Sequence, residues 1–171
     1  VRATLLIVPQ CALELWKDNI FRHAPHLSVM VYTGIDQKIW ALDFAAHDVV
    51  LTTYHTLRED EHTGGVLMQS PLVHCDWWRI ILDKSQVVRT VVSAQSLLIA
   101  RMTRQHAWCT SPRPLSGRLS SLLGLLEVLD FDPAREALVF NRSLLRPYEL
   151  GSYYALARVY RIMQRIMWRS S

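Results

Sequence analysis

Short apolar runs recur through the first two thirds of the chain, and each stops abruptly at a polar or turn-forming residue. Thr4–Pro9 (TLLIVP) is continuous and β-branched, which predicts a buried strand closed by proline. In Cys11–Pro25 (CALELWKDNIFRHAP) the period changes: Leu13, Trp16, Ile20 and Ala24 fall at helical spacing, and Pro25 stops the helix. Leu27–Gly34 (LSVMVYTG) reads as a second strand ending in a turn glycine, Asp36–Ala46 (DQKIWALDFAA) as a short helix, and Asp48–Leu57 (DVVLTTYHTL) as a third strand with a polar end. Arg58–Ser70 (REDEHTGGVLMQS), acidic and then double-glycine, reads as a surface loop. Trp77–Asp83 (WWRIILD) is a fourth strand, Ser93–Met102 (SAQSLLIARM) a helix capped by Ser93, and His106–Ser111 (HAWCTS) a fifth strand running into Pro-Arg-Pro. Beyond it, 118–131, 133–145 and 153–169 carry helical patterning.

Strands alternating with helices imply a parallel α/β sheet. About 1–116 form the sheet part and about 117–171 a helical part, packed beside the sheet or standing on it as a lobe of the same domain. Half of the residues are hydrophobic and a fifth are charged, which suits a globular core. No apolar run approaches the ~20 residues of a membrane span, so no membrane partner is expected. The apolar start lacks a basic lead and a small-residue cleavage site, and is not read as a signal peptide. Cys11, Cys75 and Cys109, odd in number and widely spaced, fit reduced thiols, and no metal-ligand spacing of Cys or His is visible. The net charge of +4 is unevenly spread. Residues 1–100 hold 8 Lys or Arg against 10 Asp or Glu; residues 101–171 hold 11 Arg against 5 acids. Such an Arg-rich part suits phosphate contact, but on charge alone a solvated helical face is the more common meaning of such a run.

In an open parallel sheet, ligands sit at the carboxyl ends of the strands. Those ends carry Pro9-Gln10, Thr52-Thr53-Tyr54, Asp83-Lys84-Ser85-Gln86 and Ser111-Pro112-Arg113-Pro114. Their order and spacing resemble the first RecA-like lobe of the Swi/Snf helicase-like ATPases, over nearly the whole chain. LLIVPQCALELWKDNIFRHAP looks like that family's motif Ia and DVVLTTYHTLR like motif Ib. WWRIILDKSQVVR sits where the family has its Asp-Glu-Ala-His box, and WCTSPRPLSGRLSSLLGLLEVL where it has Leu-Thr-Gly-Thr-Pro. FNRSLLRPY and RIMQRIMWRSS look like the end of the lobe. The Trp-Trp pair, RPY and IMWRS point to the branch that holds the helicase-like transcription factor and the SNF-linker-PHD-RING helicase.

The resemblance implies a RecA-like parallel sheet of the P-loop NTPase type, flanked by helices, cut short at its N-terminus and followed by a helical part. It implies ATP and Mg²⁺ as family cofactors, and duplex DNA as a weak, non-specific partner. A second RecA-like lobe or chromatin proteins are further partners, and the compartment is the nucleus. Asp83 is carried over as the Mg²⁺-holding remnant of motif II; Gln10, Cys11, Thr52, Thr53, Tyr54 and Arg118 as nucleic-acid contacts; Ser111, Pro112, Arg113 and Pro114 as the remnant of motif III. The departures are as informative. No G-x-x-x-x-G-K-[ST] occurs in the sequence. Lys84 stands where the family has the glutamate that activates water, Ser85 and Gln86 complete an altered box, and two prolines stiffen motif III. Lys84 is also placed to pair with Asp83. The expectation is therefore the N-terminal lobe of a DNA translocase of the chromatin-remodelling or DNA-repair type, binding no nucleotide productively and inactive as this chain. The alternatives are a non-catalytic DNA- or protein-binding module, or a decayed copy without activity.

Overall fold

The computed structural model describes residues 1–37, 39–64, 70–88, 94–112, 118–132 and 135–168. Arg113, Pro114, the Ser93 cap and the Gly65 half of the glycine pair lie outside the described residues. Five parallel strands form one sheet: β1 (Thr4–Val8), β2 (Val29–Val31), β3 (Val49–Thr53), β4 (Trp77–Leu82) and β5 (Arg104–Cys109), in the order β2-β3-β1-β4-β5. Leu5, Ile7, Val8, Val50, Leu51, Ile80 and Leu82 are fully buried, which is why these strands read as unbroken apolar runs rather than as alternation. The register brings the carboxyl ends into line: Val8 lies beside Thr53, Ile7 beside Leu82, and Leu82 beside Cys109.

Two layers of helix cover the sheet. On one face α1 (Leu13–His23) lays Leu13, Trp16 and Ile20 against Leu6, Val8, Val49, Leu51 and Ile81. On the other, α3 (Tyr54–Gly64) and α4 (Ala94–Arg101) pack Leu57, Leu98 and Ile99 against Leu5, Ile7, Val50, Ile80 and Leu82. The short α2 (Ala41–Ala45) adds Phe44, edge-on to Tyr32 and beside Trp77. The helical part follows as α5 (Ser121–Val128), α6 (Ala137–Phe140), a π-helical turn at Asn141–Leu145, α7 (Arg146–Glu149) and α8 (Tyr153–Ile166). It has its own core of Leu119, Leu122, Leu126, Phe140, Leu144, Val159 and Met163. α5 also touches α4 and the 3-10 turn Ser85–Val88, which docks this core beside the sheet.

The π turn has a local cause. Pro147 lacks the N–H that would close onto the carbonyl of Ser143, and its ring crowds that carbonyl. Arg158 of α8 supplies a donor instead, at 3.4 Å.

Two readings of the sequence need correction. The third strand stops at Thr53, not Leu57, and 58–64 belong to a helix rather than a loop. The Thr53 hydroxyl accepts the amide of Thr56 at 3.1 Å, as an N-cap residue does, and this turns the chain from strand to helix. The helix buries Asp60 among its charges, where it accepts from the Tyr32 and Ser70 hydroxyls and the Ile35 amide. The fifth strand starts at Arg104, two residues before the expected His106. The Arg104 guanidinium reaches the carbonyls of Ile99 and Met102 at the end of α4 and of Glu127 and Val128 at the end of α5. One side chain thus satisfies the orphan carbonyls of two helix ends, where a cation also meets the negative end of each dipole. Burial lowers its pKa from the usual arginine value.

Candidate nucleotide and nucleic-acid site at the sheet rim

β4 delivers Asp83 to the carboxyl rim, and the structure surrounds it with donors. The Trp16 indole donates to Asp83 Oδ2 at 2.9 Å, and the Thr110 hydroxyl to Asp83 Oδ1 at 2.7 Å. The Tyr54 hydroxyl donates to the Asp83 carbonyl at 2.9 Å; burial first, then the neighbouring Cys109 and Asp83, push its pKa far above the ordinary phenol value. Thr110 follows directly from the register, being one residue past the Leu82–Cys109 pair. Trp16 lies on the opposing helix, and its indole N–H needs a partner where the ring packs against the sheet. Neither residue was marked from the sequence. The readable signal was an indole at a core-facing helical position near a strand-end carboxylate.

Lys84 follows with φ of +51°, the left-handed region, and its side chain is exposed. Its amide donates to the Thr110 hydroxyl at 3.3 Å. The expected ion pair with Asp83 is not seen among the described residues; the carboxylate is held by the indole and the hydroxyl instead. Ser85 is buried, and its amide and hydroxyl both donate to the Thr110 carbonyl. The Ser111 hydroxyl donates to Gln86 Oε1 at 3.1 Å. Motifs II and III are thus tied together residue by residue, with Asp83, Lys84, Ser85, Gln86, Thr110 and Ser111 in one constellation. Cys109 lies under it, its thiol pushed up to about 12 by burial, with Arg104 and Ser85 pulling the other way.

Of the residues carried over as nucleic-acid contacts, three have their side chains turned inward. Thr52 and Thr53 are 0% and 2% exposed and Tyr54 is 6% exposed. Thr52 donates its hydroxyl to the Tyr32 carbonyl, Thr53 caps α3, and Tyr54 holds Asp83. Their hydroxyls are committed inside the protein. At the surface of the same rim stand Gln10 and Cys11, in the 3-10 turn Gln10–Ala12, together with His55 and Lys84. Arg118 is exposed just ahead of α5, and Pro112 is exposed beyond Ser111.

Toward a nucleotide–magnesium complex the described residues of the rim supply one carboxylate, Asp83. Mg²⁺ is held through one or two carboxylates and the substrate phosphates. Each Asp83 oxygen accepts one hydrogen bond and keeps a lone pair, the next side chain is a cation, and the sequence as given contains no phosphate-cradling turn. Among the described residues no group of three His, Cys, Asp or Glu side chains is placed to hold a metal.

Known proteins share this architecture. The SNF2-related domain model matches residues 1–171, and the chain belongs to that family. DNA repair protein RAD5B of Arabidopsis thaliana is 31% identical over 97% of this chain, which spans 13% of that protein. The human E3 ubiquitin-protein ligase SHPRH is 31% identical over 99% of the chain and 11% of its own length. Human helicase-like transcription factor is 30% identical over 98% of the chain and 17% of its own length. The chain therefore spans under a fifth of these relatives. The SWI2/SNF2 ATPase core of Sulfolobus solfataricus, solved in complex with dsDNA, superposes with a TM-score of 0.82 over 98% of this chain and 33% of that one, at 20% identity. The parallel five-stranded sheet with its helices is thus the RecA-like lobe of a SWI2/SNF2 ATPase core, as its motif order led one to expect.

Proposed function

We propose that this chain is the N-terminal lobe of a Swi/Snf-type translocase of the DNA-repair or chromatin class, that its sheet rim contacts the backbone of duplex DNA, and that these 171 residues do not by themselves hydrolyse ATP. The observation that carries the reading is the end of β4. Asp83 stands at the start of the family's box, held by the Trp16 indole and the Thr110 hydroxyl, and Lys84 follows where the family has its glutamate. General-base assistance is worth about 10²–10⁴-fold in rate, and an ammonium cannot accept the proton. The rest of phosphoryl-transfer catalysis is positioning and charge stabilisation, which needs a phosphate cradle.

One feature of the described sheet supports a place for such a cradle. Trp108 shares the α1 face with Ile81, and His106 shares it with Arg79, yet α1 covers β1, β3 and the inner part of β4. Trp108 is left 61% exposed. Crossovers between parallel strands are right-handed. The connection from β1 to β2 runs over this face, and those from β3 to β4 and β4 to β5 run over the other. A helix over Trp108 and His106 would therefore belong to a strand lying beyond β5 and leading into β1. In the family that position carries the phosphate-binding turn. We read the bare face as the seat of that strand–helix unit, and a second RecA-like lobe as the partner that completes the motor. A nuclear location follows from the same kinship.

The engaged carboxylate also favours a second reading, a non-catalytic module that keeps the duplex contact alone. Measurement of phosphate release from ATP, with and without duplex DNA, tests the catalytic part. No DNA-stimulated turnover above a no-protein control is expected, for the chain or for Lys84→Glu. Turnover near ~1 s⁻¹, low for an ordinary enzyme, would contradict it.

A further inference from the structure

α8 is built on three stripes. Ala155, Val159 and Met163 are buried in the helical core, with Ile162 and Ile166 beside them. Tyr153, Leu156 and Tyr160, at i, i+3 and i+7, fall along one outer flank and are 77%, 52% and 63% exposed. Arg158, Arg161 and Arg165, at the same spacing, fall along the opposite flank, joined by Tyr154 at 81% exposure. The narrow strip between the flanks holds Ala157 and Gln164. This outer face thus has an apolar flank and a cationic flank on either side of Ala157 and Gln164. Arg158 gives one nitrogen to the Ser143 carbonyl; Arg161 and Arg165 enter no ion pair among the described residues. Residues 150–171 hold no Asp or Glu, so the helix carries no acid of its own beside them.

This composition is unusual for solvent-facing helix. A solvated face carries interspersed charges of both signs, and large apolar groups on it are scattered singly. Tyr and Arg are, with Trp, the residues enriched at the energetic centres of protein interfaces. A duplex would satisfy the arginines but leave Leu156, Tyr153 and Tyr160 in water. A partner helix with leucines on one face and carboxylates on the adjoining flank would satisfy both flanks at once. We propose that α8 is a docking surface for an acidic amphipathic helix of a partner protein, lying along the outer face of α8 with its apolar residues on Tyr153, Leu156 and Tyr160 and its carboxylates on Arg161 and Arg165. The site is remote in role from the sheet rim, so it stands whether or not the rim binds DNA.

α8 runs about 21 Å at 1.5 Å per residue, which sets a small interface of the transient size class. The probe is a fluorescein-labelled 18-residue helical peptide with leucine at i, i+3, i+4 and i+7 and glutamate on the adjoining flank. It is compared with an analogue carrying lysine for glutamate and with a labelled 20-base-pair duplex, by anisotropy against the full chain. The acidic peptide is expected to bind at least tenfold more tightly than the basic one. Both Arg161→Glu/Arg165→Glu and Leu156→Ala/Tyr160→Ala are expected to weaken it about tenfold. These positions are exposed, so unchanged circular dichroism and Tm separate lost docking from lost fold. Equal affinity for both peptides, or no binding at 1 mM, overturns the proposal. So does loss of duplex binding in the arginine variant without loss of peptide binding, which makes the face a nucleic-acid surface. Micromolar self-association of the chain, abolished by the same variant, makes it a contact between copies and also overturns it.

Discussion

Lys84 holds a backbone angle of +51°, a region that costs a residue with a Cβ roughly 1–2 kcal/mol. The turn after β4 therefore carries strain at the same position where the charge is wrong for water activation. Lys84→Gly should relieve it and raise the stability by up to about 1 kcal/mol, read as a higher urea midpoint at unchanged slope. A fall of that size would show instead that the lysine side chain makes a stabilising contact. The cysteines give a second test at this scale. Burial raises the Cys109 thiol to about 12 and moves Cys75 in the same direction, whereas Cys11 is exposed. Folding thus favours the protonated Cys109, and stability is full below the unfolded thiol value near 8.5. It declines as pH rises from there towards 12, because the unfolded chain then releases a proton that the folded chain keeps. Iodoacetamide at pH 8 should label Cys11 first, with Cys109 reacting only on unfolding; mass spectrometry of partly labelled protein in native buffer checks the order.

Elements that rest on unbroken apolar runs were readable along the chain, and those that rest on a polar residue turned inward were not. β1, α1 and β4 lie where Thr4–Pro9, Leu13–Ile20 and Trp77–Asp83 placed them, and Trp77 and Trp78 divide into one buried and one exposed ring. α3 was hidden, since β-branched Thr52 and Thr53 continue a strand pattern while Thr53 caps the next helix. Its acidic run conceals Asp60, 3% exposed and bonded to three donors, beside Glu59, which is open to solvent. Asp60→Ala leaves buried hydroxyls without an acceptor and should cost about 2–3 kcal/mol. Glu59→Ala, whose ion pairs are exposed, should cost under ~1 kcal/mol. Equal urea midpoints for the two variants would remove Asp60 from this role. Arg104 is another inward polar residue. Arg104→Lys offers one compact ammonium for carbonyls that a planar fork reaches at both helix ends, so a loss of about 2 kcal/mol is expected despite the retained charge. A calorimetric Tm within 1 °C of the parent's would contradict that account.

At the scale of the molecule, the family was legible because five motifs keep their order even though single residues have changed, and the fold follows from that order. The rim was only half legible. Sequence position marks Thr52, Thr53 and Tyr54 as rim residues, but it cannot show that their hydroxyls are spent on Tyr32, Thr56 and Asp83. Nor does it show Trp16 and Thr110 closing on the carboxylate, since both contacts join segments far apart in the chain. What faces solvent at the rim is Gln10, Cys11, His55 and Lys84, with Arg118 exposed ahead of α5, a set suited to backbone phosphates rather than bases. The most direct test is the anisotropy of a labelled duplex across a salt series, with the chain and with Lys84→Glu/Arg118→Glu. The account predicts sequence-independent binding on the order of 10⁻⁴–10⁻⁶ M near physiological salt, weakening as salt rises, with affinity and salt slope both reduced in the double variant. Binding that ignores salt, or a double variant that binds like the parent, would contradict it.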